Sequence, residues 1–220
     1  MLTPPRYQEW LRYLFDRPVT PNGWFFDTEF SEFEAQESEI VSLFTFTMHH
    51  CGSDLLIYSD AQVRYGLDYI FSNSCSNTVF ALMSEAVPSA QKLQALASIS
   101  TLYNDCFAPR CAPVLGHTSS SGANPLNYIC YMLWDTSPLS YWERFQDRQP
   151  YYEAIATIME TALALTNPAC VESALHGLGH LRAYFPERVS QIIGAYLRHE
   201  TFVAPALRNY AQMAALGHVQ

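Results

Sequence analysis

Residues 167–197 read NPACVESALHGLGHLRAYFPERVSQIIGAYL and carry the clearest periodic pattern in the chain. Apolar side chains recur there at positions i, i+3, i+4 and i+7, which on a helix would form one apolar stripe. The same template occurs at Ile155/Ile158/Met159/Ala162, Val171/Ala174/Leu175/Leu178, Val189/Ile192/Ile193/Tyr196 and Leu207/Tyr210/Ala211/Ala214. Helices of this kind bury their apolar faces only against neighbouring helices, so the pattern predicts an array of stacked helices.

Prolines mark the starts of the predicted helices. In a first helical turn the missing backbone donor of proline costs least. Prolines stand in that place before or within the later apolar stripes, at Pro125, Pro150, Pro168, Pro186 and Pro205. Nothing in the chain resembles alternating strands joined by Asn-Gly or Asp-Gly turns. The sequence therefore predicts an all-α fold.

The domain organisation follows from the regularity of these helices. We expect a single domain over residues 1–220, built as an irregular α-α superhelix. Residues 1–107 are less regular, the Pro-, Gly- and Ser-containing segment 108–124 is a surface loop, and residues 125–220 carry the more regular repeats. With 220 residues and 49% hydrophobic side chains, the chain can bury a substantial core without disulfide bonds.

The C-terminal third resembles a known class of helical repeats. Residues 150–220, and the runs ESALHGLGHL and PERVSQIIGAYL in particular, are similar to HEAT or armadillo-type repeats, including bacterial proteins of that fold type. The resemblance implies a curved array whose faces bind protein or, in some members, nucleic acid. The chain departs from the family in having no Arg or Lys ladder and no repeated Pro, Asp and Arg signature.

The acidic balance of the chain limits the classes of partner. Lys and Arg total 12 and Asp and Glu total 21, which gives a formal net charge of −9. Nonspecific binding to nucleic acid or to an anionic membrane depends on clustered basic residues, so the charge argues against both. A basic protein partner is compatible with it.

The targeting and cysteine patterns predict a cytoplasmic protein. The opening MLTPPRYQEW lacks the cationic start and apolar run of a secretory signal. No apolar stretch approaches the roughly 20 residues that a bilayer requires. The six cysteines are too sparse for a disulfide scaffold, and most lie beside apolar residues, as buried free thiols do.

An acidic segment near the N-terminus contains no basic residue. Between Pro18 and Val63 there is no Lys or Arg. A capping box of Ser31 and Glu34 predicts a helix from Ser31 to about Cys51, whose first turn favours acids. Two hypotheses for the segment stay open, namely a solvated face and a docking surface for a basic partner. The docking residues would be Glu29, Glu32, Glu34, Glu37 and Glu39.

One candidate metal site lies in the run quoted above. Glu172, His176 and His180 stand at i, i+4 and i+8, so one helix would place all three on one side. A carboxylate and two imidazoles can hold a divalent transition metal with open positions. The alternative is two histidines on a second packing or solvated face, with Gly177 and Gly179 allowing close approach of a neighbouring helix.

Two other clusters have weaker patterns. Four potential zinc ligands surround the predicted loop without forming CxxC pairs, and they are Cys106, Cys111, His117 and Cys130. A thiol adjoins two imidazoles at His49, His50 and Cys51, yet adjacent helical residues point about 100 degrees apart, so adjacency aligns no catalytic pair. Helix-end cysteines in an apolar setting suffice to explain the first cluster, and an enzyme at the second would require a distant third group that the sequence does not identify.

No catalytic motif accompanies the helical pattern. The chain contains no GxSxG elbow, no GxGxxG loop and no GxxxxGK loop. The sequence therefore favours a non-enzymatic protein-binding module without a cofactor, such as a bacterial immunity or antitoxin-like protein that masks a basic toxin. A metal-dependent hydrolase that uses Glu172, His176 and His180 is the alternative hypothesis.

Overall fold

A computed structural model describes residues 2–27, 31–117, 122–199 and 204–219. The described residues are 67% helical and contain no strand, which confirms the predicted all-α class. The helices are α1 (Tyr7–Phe15), α2 (Glu37–Asp54), α3 (Asp60–Phe71), α4 (Thr78–Leu82), α5 (Ser89–Thr101), α6 (Ala108–Arg110), α7 (Pro125–Thr136), α8 (Gln149–Leu163), α9 (Pro168–Leu181), α10 (Pro186–His199) and α11 (Pro205–Ala215). Within this part of the chain, no helix combines the length and apolarity needed to cross a bilayer.

Side-chain caps and prolines set most helix starts. Ser59 and Gln62 form a capping box at α3, in which the Gln62 backbone N–H donates to Ser59 Oγ at 3.3 Å. Asn124 and Asn127 cap α7 in the same way. The predicted prolines all lie in the first turn of a helix, because there they remove a donor that has no intrahelical partner.

The predicted start of α2 is wrong. The helix begins at Glu37, not at Ser31, and the residues before it are extended or irregular. The guanidinium of Arg6 donates to the backbone carbonyl oxygen of Glu34 at 2.8 Å and lies over the ring of Phe33 at 4.2 Å. These tertiary contacts hold the segment against α1 and outweigh the local capping signal.

The helices pack as two series of neighbours. In one series α2 contacts α5, α5 contacts α8 and α8 contacts α10, while α1, α3, α7, α9 and α11 follow one another in the second. The series meet where α8 packs on α9 and α10 on α11. The predicted burial of all four stripes is confirmed, since only Tyr196 among their members is partly exposed. The superhelical twist and the HEAT or armadillo identity stay predictions.

The predicted loop 108–124 begins three residues later than expected. Helix α5 continues through a π-helical turn, Leu102–Phe107, directly into α6, so the helical run ends at Arg110. The side chain of Arg110 holds this end by pairing with Asp60 at 2.7 Å and donating to the carbonyl oxygen of Tyr58 at 2.9 Å. The serine run of the loop falls mostly outside the described residues.

Helix α9 is enclosed by its neighbours. It contacts α7, α8, α10 and α11, and both of its interior glycines permit a close approach. A Cβ added at Gly177 would lie 2.6 Å from Trp134 Cδ1, and one at Gly179 would lie 2.4 Å from Val219 Cγ1. The predicted approach of a neighbouring helix is therefore confirmed at Gly177, whereas Gly179 faces the segment after α11 and not a helix.

Candidate metal centre

Helix α9 supplies two residues of the site. Asn167 caps its N-terminus by accepting a hydrogen bond from the Ala169 backbone N–H at 3.0 Å, and Pro168 occupies the first turn. His176 and His180 follow one turn apart, so their rings lie on the same side of the helix. His176 is fully buried, whereas the side chain of His180 is 33% exposed.

Helix α7 supplies the third residue, Asp135, near its C-terminus. Its carboxylate oxygens lie 2.5 Å from His176 Nε2 and 2.8 Å from His180 Nε2. The two imidazole Nε2 atoms are themselves 3.1 Å apart. One ligand atom from each of the three residues lies within 4.8 Å of the others, and no other group of three or more such residues converges in the described part of the chain.

With the Asp135 carboxyl ionised, no placement of protons on the two histidines satisfies all three contacts in this cluster. If both Nε2 atoms carry hydrogen to meet Asp135, two donors face each other across 3.1 Å. If one Nε2 lacks its hydrogen, its lone pair faces the carboxylate. A cation between the three residues would accept every lone pair. Ligand atoms around a tetrahedral or octahedral ion at roughly 2.0–2.1 Å lie about 2.8–3.4 Å apart. The two His180 contacts, at 2.8 and 3.1 Å, fall in that range, and the contact of His176 with Asp135, at 2.5 Å, is shorter.

Glu172 does not join this cluster, so the predicted ligand set is wrong in that member. Its buried carboxylate faces the loop after α6, where it accepts the backbone N–H of Gly116 at 2.5 Å and that of His117 at 3.2 Å. The ring Nδ1 of His117 binds the same carboxylate. These donors satisfy Glu172 by fixing the loop, which leaves the metal position to Asp135.

Two tyrosines support His176 from the side away from Asp135. The Tyr210 hydroxyl lies 2.5 Å from His176 Nδ1 and 3.0 Å from the hydroxyl of Tyr131. Burial, followed by its hydrogen bond to Tyr131, raises the pKa of Tyr210 far above its ordinary value, so it stays a neutral phenol. A hydrogen on Nδ1 donated to Tyr210 would leave the Nε2 lone pair of His176 free for a metal.

The charge of Asp135 is strongly favoured. Burial by itself raises the pKa of this carboxyl, but hydrogen bonds from His176 and His180, together with their charges, hold the pKa well below its usual range. Asp135 is therefore an anionic ligand at neutral pH. The Asp135 side chain is 28% exposed, so the site is reachable from solvent.

Two clefts flank the cluster. The first, of about 550 Å³, is lined by His180 and Arg182 together with the rings of Tyr141 and Tyr184. The second, of about 760 Å³, is lined by His117 and by both supporting tyrosines. The segment after α11 lies between them, since Gly217 and Val219 line both clefts. Volumes of this size suit small-molecule ligands.

The acidic residues predicted to dock a basic partner have mixed surroundings. Glu29 lies outside the described residues. The carboxylates of Glu32 and Glu37 accept hydrogen bonds from the side chains of Asn77 and Ser84, and Glu39 lies 3.7 Å from Arg6. Glu37 and Glu39 stand in the first turn of α2, where the helix dipole favours acidic side chains. Glu32, Glu34 and Glu37 remain exposed.

The cysteine clusters show no reactive arrangement. All six cysteines are free thiols, and five are buried. Burial raises the pKa of Cys51 to about 12, so this residue is a protonated thiol beside His50 and not a nucleophile. Its partner is the Thr101 carbonyl oxygen at 3.8 Å. The predicted four-residue zinc set is not assembled, because His117 is held by Glu172.

Asp135, Tyr131 and Tyr210 are the site residues that sequence reasoning missed. They lie on helices other than α9, and nothing in the local sequence connects them to His176. No protein-family model matches the chain, and no curated protein or solved structure matches it significantly.

Proposed function

We propose that the protein binds one divalent transition-metal ion through Asp135, His176 and His180 and acts as a metal-dependent hydrolase. The observation that carries the proposal is the convergence of two imidazole nitrogens and a carboxylate in a contact set that no arrangement of protons satisfies while Asp135 is ionised. A cation replaces those conflicting contacts with three favourable ones.

The ligand set supports catalysis more than a structural role. Structural zinc sites are closed by four protein ligands, whereas catalytic sites use three and keep a position for water or substrate. Here His176 is enclosed, Asp135 and His180 are partly exposed, and His180 lines the first cleft. An ion held in this way polarises a substrate oxygen and lowers the pKa of bound water. Nitrogen and oxygen ligands favour Zn²⁺, Co²⁺, Mn²⁺ or Fe²⁺.

Metal titration tests the proposal. Protein freed of metal with a chelator should bind one Co²⁺ or Zn²⁺ per chain, with visible absorption from the Co²⁺ form. His176→Ala and Asp135→Ala should each weaken binding by at least about 100-fold, which exceeds the effect of typical outer-shell changes. His49→Ala is the matched control, because His49 is exposed on α2 and outside the cluster.

Hydrolysis is measured on the same samples. The metal-loaded protein should cleave p-nitrophenyl acetate or p-nitrophenyl phosphate, and both the chelator and His176→Ala should remove that activity. Binding that His176→Ala leaves unchanged would contradict the metal centre. Tight binding without metal-dependent cleavage of either ester would contradict the hydrolase and leave a metal-binding protein.

A protein-binding module is the second candidate function, located in the cytoplasm. The exposed acids Glu32, Glu34 and Glu37 support binding of a basic protein. The six cysteines, which form no disulfide with one another, support the cytoplasmic location. A basic partner recovered by the wild-type chain should be lost with the double variant Glu34→Lys/Glu37→Lys and kept with Glu187→Lys on α10. Equal recovery by all three proteins would count against this surface.

A further inference from the structure

The cleft beside His180 contains an arginine whose charge has no acidic partner. The Nε of Arg182 donates to the Ala215 carbonyl oxygen at 3.0 Å, at the C-terminal end of α11. No ion pair of Arg182 and no bond of its two terminal nitrogens occurs among the described residues. The guanidinium therefore keeps donors that can meet an incoming anion.

Arg182 lies against the turn after α11. Gly217 in this turn has a φ of 76°, which L side chains rarely adopt, and the Arg182 Cγ and Cβ lie 3.5 and 3.6 Å from where a Cβ on Gly217 would stand, an ordinary contact distance. The bond from Nε to the Ala215 carbonyl oxygen holds the guanidinium itself. A guanidinium fixed in this way loses little entropy when it binds a ligand.

The rest of the cleft lining includes two exposed tyrosines and contains no acid. Tyr141 and Tyr184 are 50% and 39% exposed, and their rings meet edge to face with centroids 5.5 Å apart. Tyr184 also stacks on Tyr152. None of the lining residues is Asp or Glu, in a chain whose net charge is −9. A cationic cleft with exposed rings fits a ligand that has an anionic group and a planar or apolar part.

We infer that this cleft binds small organic oxyanions, with the carboxylate or phosphate on Arg182 and the apolar part against Tyr141 and Tyr184. His180 lines the same cleft, so the ligand lies next to the metal position. That these anions are substrates rests on the proposed hydrolase function. Their binding to Arg182 requires no metal. Guanidinium matches the paired oxygens of carboxylate and phosphate in two parallel hydrogen bonds.

The inference is tested by measuring binding affinities calorimetrically, on both metal-free and Zn²⁺-loaded protein. The ligands are phenyl phosphate and benzoate, with phenol as the neutral analogue. Both anions should bind the metal-free protein at least about tenfold more tightly than phenol, in keeping with a charge-assisted contact. Arg182→Met should remove that preference, and Arg182→Lys should keep most of it. Arg12→Met, an exposed arginine on α1, is the matched control.

The outcomes separate this inference from the metal centre. Anion preference in the metal-free protein, together with no Zn²⁺ binding, supports the cleft and overturns the hydrolase. An unchanged preference in a folded Arg182→Met protein overturns the cleft while leaving the metal centre standing. If Arg182→Met does not fold, because Arg182 also holds α11, equal binding of phenol and the two anions to the wild-type protein overturns it instead.

Discussion

Glu172→Leu is expected to lower the free energy of unfolding by about 3 kcal/mol, because it removes the buried acceptor of three donors. The backbone N–H groups of Gly116 and His117 and the ring of His117 would lose their partner together. The ring of His117 is 27% exposed, so water can partly replace the carboxylate. The expected loss of stability is therefore at the lower end of the losses typical when one partner of a buried ion pair is removed. Urea denaturation measures the change.

Glu172→Gln separates hydrogen bonding from charge at the same position. The amide keeps one acceptor oxygen for His117 but turns its NH₂ toward the Gly116 N–H, which should cost about 1–2 kcal/mol. The Glu172→Gln protein should still bind one Zn²⁺ ion per chain, since Glu172 faces the loop and not the metal position. Loss of the ion in Glu172→Gln, with stability retained, would restore Glu172 as a ligand and contradict the assignment of Asp135.

Gly177→Val is expected to destabilise the protein by about 2–3 kcal/mol through overpacking. A Cβ at this position would lie 2.6 Å from both Trp134 Cδ1 and Met159 Cε. The methionine end can move, but the indole is only 2% exposed and its Nε1 donates to the Tyr103 hydroxyl at 2.9 Å. The clash is therefore relieved only by shifting α7 against α9. Thermal and urea unfolding would both report it.

Gly194→Ala is the matched control for that substitution and should have the opposite sign. Gly194 lies in α10, where an added Cβ meets only the Nη1 of Arg198 at 3.3 Å. A flexible guanidinium moves at little cost, so the higher helix propensity of alanine should stabilise the protein by up to about 1 kcal/mol. Equal effects at the two glycines would show that close packing at Gly177 is not the cause.

Local signals predicted the helices wherever nothing distant competes with them. The predicted prolines at 168, 186 and 205 lie in first turns, and Ser59 with Gln62 forms the capping box that its local sequence specifies, because capping and proline geometry act within one turn. Ser31 and Glu34 have the same spacing in sequence, but no helix begins there. Arg6, far away in the chain, takes the Glu34 carbonyl and holds that segment outside the helix.

The candidate site was predictable only where its residues share a helix. The spacing of His176 and His180 places both imidazoles on one side of α9, as expected. Asp135 belongs to α7 and Glu172 turns to His117, and both pairings depend on how helices pack and on where the loop after α6 returns. Spacing along one helix cannot show which carboxylate of a second helix the packing brings to the two rings.

The enclosure of α9 also determines how the molecule should respond to an ion. A helix covered by α7, α8, α10 and α11 exposes its amide groups to hydrogen exchange only when the whole domain opens. An ion held by His176 and His180 would therefore slow hydrogen exchange of all the most protected amides, instead of ordering one local segment. It would also raise the melting temperature in proportion to the logarithm of the ion concentration.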